Sequence, residues 1–423
     1  MNFWARAFYT WRKVWKALKI YGIIAGPGII VMVADNDAGG ITTYAATGAK
    51  FGYSLLWFLA LLGPVAFFVQ EMTVRLGAVT KRGHAEAIFY GFGPFWGWFS
   101  ILDLILIDWL TLITEFIGMG AAMAIFGVPP VVTVLGVVII MGAMVLKGNY
   151  WTWEKIALFF CAMNLVYIPC AIIVRPSVER ILAHGILPHV PEGGITNTLL
   201  FYLMANIGTT IAPWMVFFQQ SAVVDKGIQE KDILWSKIDT VVGALFTVVV
   251  AAFCIVLTGT MLHGVDIRDA AQAAIDLMHI NKYLGTMLAI GLFDAGLLGA
   301  ICISLASSWA FGEVFGWAHS LNNRIHEAPW FYAFYFLALI TAGGVTLVPG
   351  APLVLITLFV QVIAVTLLPA ALVFLVLLLN NEEAMGKYKN SLFQNVANIT
   401  IVVLIIALST FYSITALFPN ILR

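Results

Sequence analysis

Gly26-Pro27-Gly28-Ile29-Ile30-Val31-Met32-Val33-Ala34-Asp35-Asn36-Asp37-Ala38-Gly39-Gly40 sets two carboxylates, an asparagine and two adjacent glycines inside an apolar run. Glycine costs a helix roughly 1 kcal/mol per residue, and Asp and Asn favour caps and turns. A charge at the bilayer centre costs a further few kcal/mol, so such groups face a partner or a water-filled cavity. A helix built on this stretch therefore breaks, and its freed backbone groups and carboxylates line a site. That interruption points to a transporter.

The rest of the composition agrees. The chain is 61% hydrophobic and 10% charged, with a mean hydropathy of +0.96, far above soluble globular proteins. Net charge is zero, which gives no footing for nucleic acid. Cys161, Cys170, Cys254 and Cys302 lie in apolar runs without metal-ligand spacing and read as buried thiols. Trp4 to Lys19 is too basic and interrupted for a cleavable signal peptide.

Apolar segments long enough for ~30 Å of hydrocarbon fall near 20–48, 53–77, 93–126, 129–147, 152–174, 196–224, 238–262, 284–316, 329–347, 351–379 and 396–419. The expected fold class is an all-α integral membrane protein of eleven spans. With the N-terminus inside, the inner segments hold Arg6, Arg12, Lys13, Lys16, Lys19, Arg75, Lys81, Arg82, Lys147, Lys155, Lys226, Lys231, Lys237, Arg324, Lys387 and Lys389. The other side keeps Lys50, Arg175, Arg180, Arg268, Lys282 and Arg423, sixteen against six. This positive-inside bias predicts a cytoplasmic N-terminus and an extracellular C-terminus in the plasma membrane. Trp4, Trp11 and Trp15 beside the early basic residues read as an interfacial helix. Residues 1–19 are expected as a basic cytoplasmic segment and 20–423 as one transport domain.

A second interruption stands at Ala205-Asn206-Ile207-Gly208-Thr209-Thr210-Ile211-Ala212-Pro213-Trp214. Gly208 weakens the helix, and Pro213 removes a backbone donor and frees carbonyls near residue 209. The breaks fall in spans one and six, five helices apart. That predicts two inverted five-helix repeats, about 20–175 and 196–380, with the site at their interface and an extra helix about 396–419. A plain proline kink in span six is the bland alternative.

Several motifs carry a family resemblance. Gly26-Pro27-Gly28, Asp37-Ala38-Gly39-Gly40, Phe51-Gly52-Tyr53 and Leu55-Leu56-Trp57 resemble the first-helix signature of the natural-resistance-associated macrophage protein (Nramp) metal transporters, whose break reads Asp-Pro-Gly-Asn. The likeness continues at Gln70, Arg75-Leu76-Gly77-Ala78-Val79-Thr80 and Glu115-Phe116-Ile117-Gly118. It recurs at Gly291-Leu292, Ala295-Gly296, Gln361-Val362, Leu368-Pro369 and Met385-Gly386. It covers nearly the whole chain and implies a LeuT-like fold and divalent-metal transport.

The departures from that pattern carry the specificity argument. Manganese and iron carriers of the family place methionine before the sixth-helix proline and histidine after it; here stand Ala212 and Trp214. A thioether favours transition metals, whereas carboxylate, carbonyl and water suit Mg²⁺, Ca²⁺ or Mn²⁺. Gly40 replaces the family asparagine, deleting a side-chain ligand and leaving space for a hydrated ion. Mg²⁺ normally keeps several waters. The pattern resembles the Nramp-related magnesium transporters. Met215 is the other sulfur nearby, but one residue turns a helix by ~100° and aims it away. The family's proton route uses that histidine and an aspartate one turn before the third-helix glutamate; here they are Trp214 and Leu112, which cannot titrate between pH 5 and 8. Uncoupled entry driven by membrane potential follows, 100 mV supplying about 2.3 kcal/mol per charge. Asp108, on the face of Leu112 and Glu115, is the one candidate for a rerouted proton path.

Asp37 is the leading metal ligand, with carbonyls near Ala34 and Gly208. Thr209 and Asn206 offer further oxygens, and Gln361 matches a family glutamine that approaches the metal. Asp35 either adds charge at the vestibule or caps the break; Glu115 either attracts cations or pairs with a neighbour. Asp103 and Asp294 read as helix-holding carboxylates, and His184 and His189 as surface residues. The chain has no phosphate-binding loop and no His-Glu-x-x-His motif, so neither ATP hydrolysis nor proteolysis is expected and the chain is not an enzyme. The expected function is Mg²⁺ and Mn²⁺ uptake by alternating access, with the ion as cargo, no cofactor, the lipid bilayer as surroundings and a monomeric state. The alternatives are proton-coupled Mn²⁺/Fe²⁺ symport, a sodium-coupled organic-solute carrier, and a membrane-embedded metal sensor.

Overall fold

Each of the eleven predicted segments is mainly helical over its described residues in the computed structural model, which describes residues 11, 15, 19–146, 148–191, 193–267, 270–349 and 353–417. Trp4 lies outside the described residues. Trp11 and Trp15 are helical and exposed, their rings edge to face at 6.0 Å. The helices are α1 (Pro27–Ala34), α2 (Ala38–Phe51), α3 (Leu56–Thr80), α4 (His84–Phe92), α5 (Pro94–Ile125), α6 (Pro130–Val145), α7 (Tyr150–Met163) and α8 (Tyr167–Ile173). Then follow α9 (Val178–Gly185), α10 (Asn197–Gly208), α11 (Pro213–Asp225), α12 (Ile233–Met261), α13 (Ala270–Ile280), α14 (Lys282–Phe315), α15 (Pro329–Thr346), α16 (Leu353–Asn380) and α17 (Leu392–Leu417). Every regular element among the described residues is helical.

Among the described residues, eight helical stretches are long and apolar enough to cross a bilayer by length and composition. Each of the other three predicted spans carries a distinguishing feature. The first is split into α1 and α2, α5 carries Asp103, Asp108 and Glu115, and α6 has only 16 residues. Proline opens α1, α5, α6, α11 and α15, where its missing N–H costs no helical bond. Large apolar side chains such as Leu102, Leu106, Ile139, Val403 and Leu404 are exposed on the outside of the bundle. So much outward apolar surface needs lipid to cover it. The chain is a multi-pass membrane protein.

Both interrupted spans sit in the middle. The α12 helix packs along α1, α2 and α3, α14 runs beside α5, and α16 leans on α5 and α10. The buried core around the breaks is Ile30, Val31, Val33, Ala34, Ile207, Ile211, Leu298 and Ile301. The four cysteines are free and buried, as expected.

One cluster fastens the start of α1. The Asp239 carboxylate on α12 accepts the amides of Gly26 at 3.1 Å and Gly28 at 2.7 Å. It thereby satisfies donors that a helix start leaves without partners. A Cβ on Gly28 would sit 2.8 Å from that carboxylate and 2.7 Å from the Thr240 nitrogen, so this approach requires glycine. Beside it, Lys226 Nζ pairs with Glu154 at 2.6 Å and donates to the Ala25 carbonyl at 2.8 Å. The α1 start is thus tied to α7, α11 and α12 at once.

Candidate metal site at the two helix breaks

The first span stops at Ala34 because two side chains divert the amides that would continue it. In an unbroken helix the Ala38 N–H would bond the Ala34 carbonyl. Here it donates to Glu115 Oε2 on α5 at 2.9 Å. The Gly40 N–H donates to Asp37 Oδ1 at 2.6 Å, making Asp37 the N-cap of α2. The two diversions release the carbonyls of Ala34 and Asn36. Asp35 is the C-cap of α1, and its buried Oδ2 has no partner.

The second span breaks by the same device. The Ala212 N–H, which would bond the Gly208 carbonyl, donates to Met215 Sδ at 3.3 Å. Pro213 has no N–H for the Thr209 carbonyl, which accepts instead from the Tyr44 hydroxyl at 3.2 Å. That hydroxyl also lies 3.2 Å from Thr210 Oγ1. Tyr44 therefore ties α2 to the second break.

The two breaks meet. Thr209 Oγ1 has no partner and lies 2.5 Å from where a Cβ on Gly40 would be; the Asp35 carbonyl lies 2.8 Å from the same point. Gln361 on α16 touches both sides: its side-chain amide lies against Gly39 and its backbone carbonyl against Gly208. Gln361 Nε2 is buried without a partner. Asp37 and Glu115 pack over Gly299 of α14, where a Cβ would stand 2.8 Å from Asp37 Cβ and 3.0 Å from Glu115 Oε2. Asp37 is 3% exposed, Thr209 1%, Gln361 2% and Glu115 0%, so the cluster is closed to both faces of the membrane.

Not every expected residue arrives there. Asn206 donates to Thr47 Oγ1 at 2.9 Å and the Tyr202 carbonyl at 2.7 Å, bracing α10 against α2. Asp108 accepts from Ser307 Oγ at 2.5 Å and stands seven residues before Glu115, roughly 10 Å along α5. The space expected beside Gly40 is filled: the Thr209 hydroxyl and the Asp35 carbonyl occupy the position a larger side chain would take. The sulfur expected to point away from the break does not, because Met215 folds back as the cap of α11. Trp214 is fully buried, edge to face with Phe218 at 6.2 Å, and Leu112 is buried one turn before Glu115. Neither contributes a titratable group. His184 and His189 line a surface cavity of about 640 Å³ with Lys50, Arg180 and His263.

Sequence reasoning missed Tyr44, the Met215 cap and the Asp239–Lys226–Glu154 cluster. Only Met215 had a local signal: a long, flexible acceptor at the third position of a helix opened by proline.

Comparison with known proteins fixes the family. The Natural resistance-associated macrophage protein-like (Nramp) family matches residues 28–415. The chain belongs to the Nramp family. Among Nramp relatives, a divalent metal cation transporter MntH of Bradyrhizobium diazoefficiens is 25% identical over 403 residues, covering 88% of this chain and 84% of its own. The protein of the same name from Lacticaseibacillus casei is 27% identical over 402 residues, covering 89% and 85%. The crystal structure of the Eremococcus coleocola manganese transporter with an aromatic bis-isothiourea substituted compound superposes at a TM-score of 0.76 and 20% identity, covering 94% and 86%. A nucleobase-cation-symport-1 family transporter in a closed conformation superposes at 0.55 and 10% identity, covering 92% and 93%. The Nramp fold here is the LeuT-like one that the resemblance implied.

Proposed function

We propose that this chain carries divalent cations across the membrane by alternating access, and that its cargo is Mg²⁺, with Mn²⁺ also accepted, moving without a coupled proton. The divalent-metal part rests on family membership and on the relatives named for that activity. The observation that carries the finer part is the pair flanking Pro213. Ala212 presents no thioether to the break, and Trp214 fills the next position with a buried ring that cannot relay a proton. Asp37, Thr209, Gln361 and the released carbonyls of Ala34 and Gly208 supply oxygen, the donor set that suits Mg²⁺ and Mn²⁺. Asp35 adds a second buried carboxylate beside them. For the ion to enter with water still attached, Thr209 must swing off Gly40.

Proton-coupled Mn²⁺ transport is the second reading, favoured by one observation. Met215 Sδ stands 3.3 Å from the Ala212 nitrogen, so a soft ligand lies at the rim of the break. Flux into liposomes separates the two. Mg²⁺ entry with no acidification of the lumen, lost in Asp37→Ala, is expected. Metal entry that brings protons with it, or strong preference for Cd²⁺ over Mg²⁺ in the wild type, overturns the magnesium reading.

A further inference from the structure

A second set of buried oxygens lies away from the breaks, between α7–α8 and α14. Asp294 sits twelve residues into α14, roughly 18 Å along its axis, and is 2% exposed. Its Oδ2 accepts from Asn164 Nδ2 at 2.9 Å, while its Oδ1 is buried without a donor. No Lys, Arg or His pairs with it among the described residues. Two more buried oxygens on the facing helix lack partners, Asn164 Oδ1 and the Tyr167 hydroxyl.

The backbone sets these groups opposite one another. Pro169 withholds the amide that the Leu165 carbonyl would take, and the chain tightens to a 3₁₀ turn over Asn164–Val166 between α7 and α8. Asn164 and Tyr167, three residues apart, share one face; Gly291 and Asp294 share the face they meet. The Tyr167 hydroxyl lies against Gly291, where a Cβ would be 2.9 Å from it, and Asn164 bonds Asp294 one turn further on. Buried oxygens without donors are costly, and a lone carboxylate in the membrane interior more so. A single positive charge on oxygen ligands would offset both. A divalent ion would leave net charge and ordinarily draws on more carboxylates than this one. The cluster is separate from the breaks: Gly299, which touches Asp37 and Glu115, lies five residues on, roughly 7.5 Å further along α14.

We propose that Asp294, Asn164 and Tyr167 form a binding site for one sodium ion, distinct from the cargo site, which braces α14 against α7–α8. The test uses the purified full-length protein without divalent metal, in NaCl or choline chloride at constant ionic strength, at pH 6 and pH 8. NaCl should raise the wild-type melting temperature saturably over choline chloride, as expected of a ligand that binds only the folded state. Asp294→Asn should remove that response, Tyr167→Phe should raise the half-maximal NaCl concentration about tenfold, and Asp37→Asn should leave it unchanged. Wild type should also bind one equivalent of ²²Na⁺, which decides the matter if the variants fail to fold. Absence of ²²Na⁺ binding overturns the proposal, as does a sodium response that survives Asp294→Asn or is lost in Asp37→Asn. A melting temperature that follows pH but not sodium, with the dependence lost in Asp294→Asn, overturns it too. It would place a proton on this carboxyl, with Cys161 and Tyr167 the titratable neighbours facing it.

Discussion

Glu115 and Ala38 are joined by a hydrogen bond of 2.9 Å from the amide of the first residue of α2 to a carboxylate on α5. Glu115 therefore acts on the first break through the backbone: it holds an amide that would otherwise return to Ala34 and close the helix. The same job falls to Met215 at the second break, where its sulfur holds the Ala212 amide at 3.3 Å. Neither interruption is merely a run of poor helix formers.

Glu115→Gln keeps an acceptor for Ala38 and should transport within a few-fold of wild type. Glu115→Ala leaves a buried amide that must either go unpaired, at about 1–3 kcal/mol, or rejoin the Ala34 carbonyl. Both outcomes lower flux. Thermal unfolding and liposome uptake of the two variants check this; equal activity in both would show that the bond does not hold the break.

Met215→Leu removes the sulfur at nearly constant volume. If the thioether serves only as a cap, stability falls by about 1 kcal/mol and the Mg²⁺ to Cd²⁺ preference stays the same. Ala212→Met places a thioether where Ala212 now offers only a methyl group, and Cd²⁺ uptake should rise. Competition of each metal against Mg²⁺ flux is the measurement.

Gly40→Ala would set a methyl group 2.5 Å from Thr209 Oγ1 and 2.8 Å from the Asp35 carbonyl. Overpacking of this kind costs about 1–3 kcal/mol, and transport should fall. Adding Thr209→Ser, which keeps the clashing hydroxyl but can rotate it away, should restore part of the flux. Adding Thr209→Ala should relieve the hydroxyl clash more fully and recover stability without recovering transport, if the hydroxyl contacts the ion. Unfolding and uptake measured on all three separate packing from ligation.

His84 gives the pH prediction. It opens α4 outside the spans, is fully buried beside Gln220 and Phe217, and burial pushes its imidazole down to about 4 from 6.5. The unfolded chain takes up this proton near pH 6.5 while the folded protein resists until about pH 4, so the contribution is full above pH 6.5 and is lost as pH falls from there. The two values differ by an amount worth roughly 3 kcal/mol. His84→Gln should flatten the decline in melting temperature between pH 6.5 and 4 relative to wild type. An identical slope in both proteins would rule out His84 as its source.

Helix positions were legible in the sequence because apolar length and interruption are local properties. Asp35-Asn36-Asp37 and Gly208 to Pro213 announced both breaks for the same reason. The partners that hold those breaks were not legible. Glu115 reaches Ala38 across 77 positions and Asp239 reaches Gly28 across 211, and one sequence carries no trace of such pairings. Gly40 was misread in one respect. A missing side chain implies room only if nothing else moves in, and the Thr209 hydroxyl does, which no count of ligands on either helix alone reveals. Met215 escaped because angular reasoning places a Cβ, whereas a flexible thioether reaches back around its own turn.

Gln361 rests its amide on Gly39 and its carbonyl on Gly208, so α16 senses both halves of the pocket through one residue. Neither half can rearrange alone without disturbing that shared fulcrum. If the pocket takes the proposed ion, capture by only one half would leave that lever unbalanced, and the arrangement would favour full over partial capture.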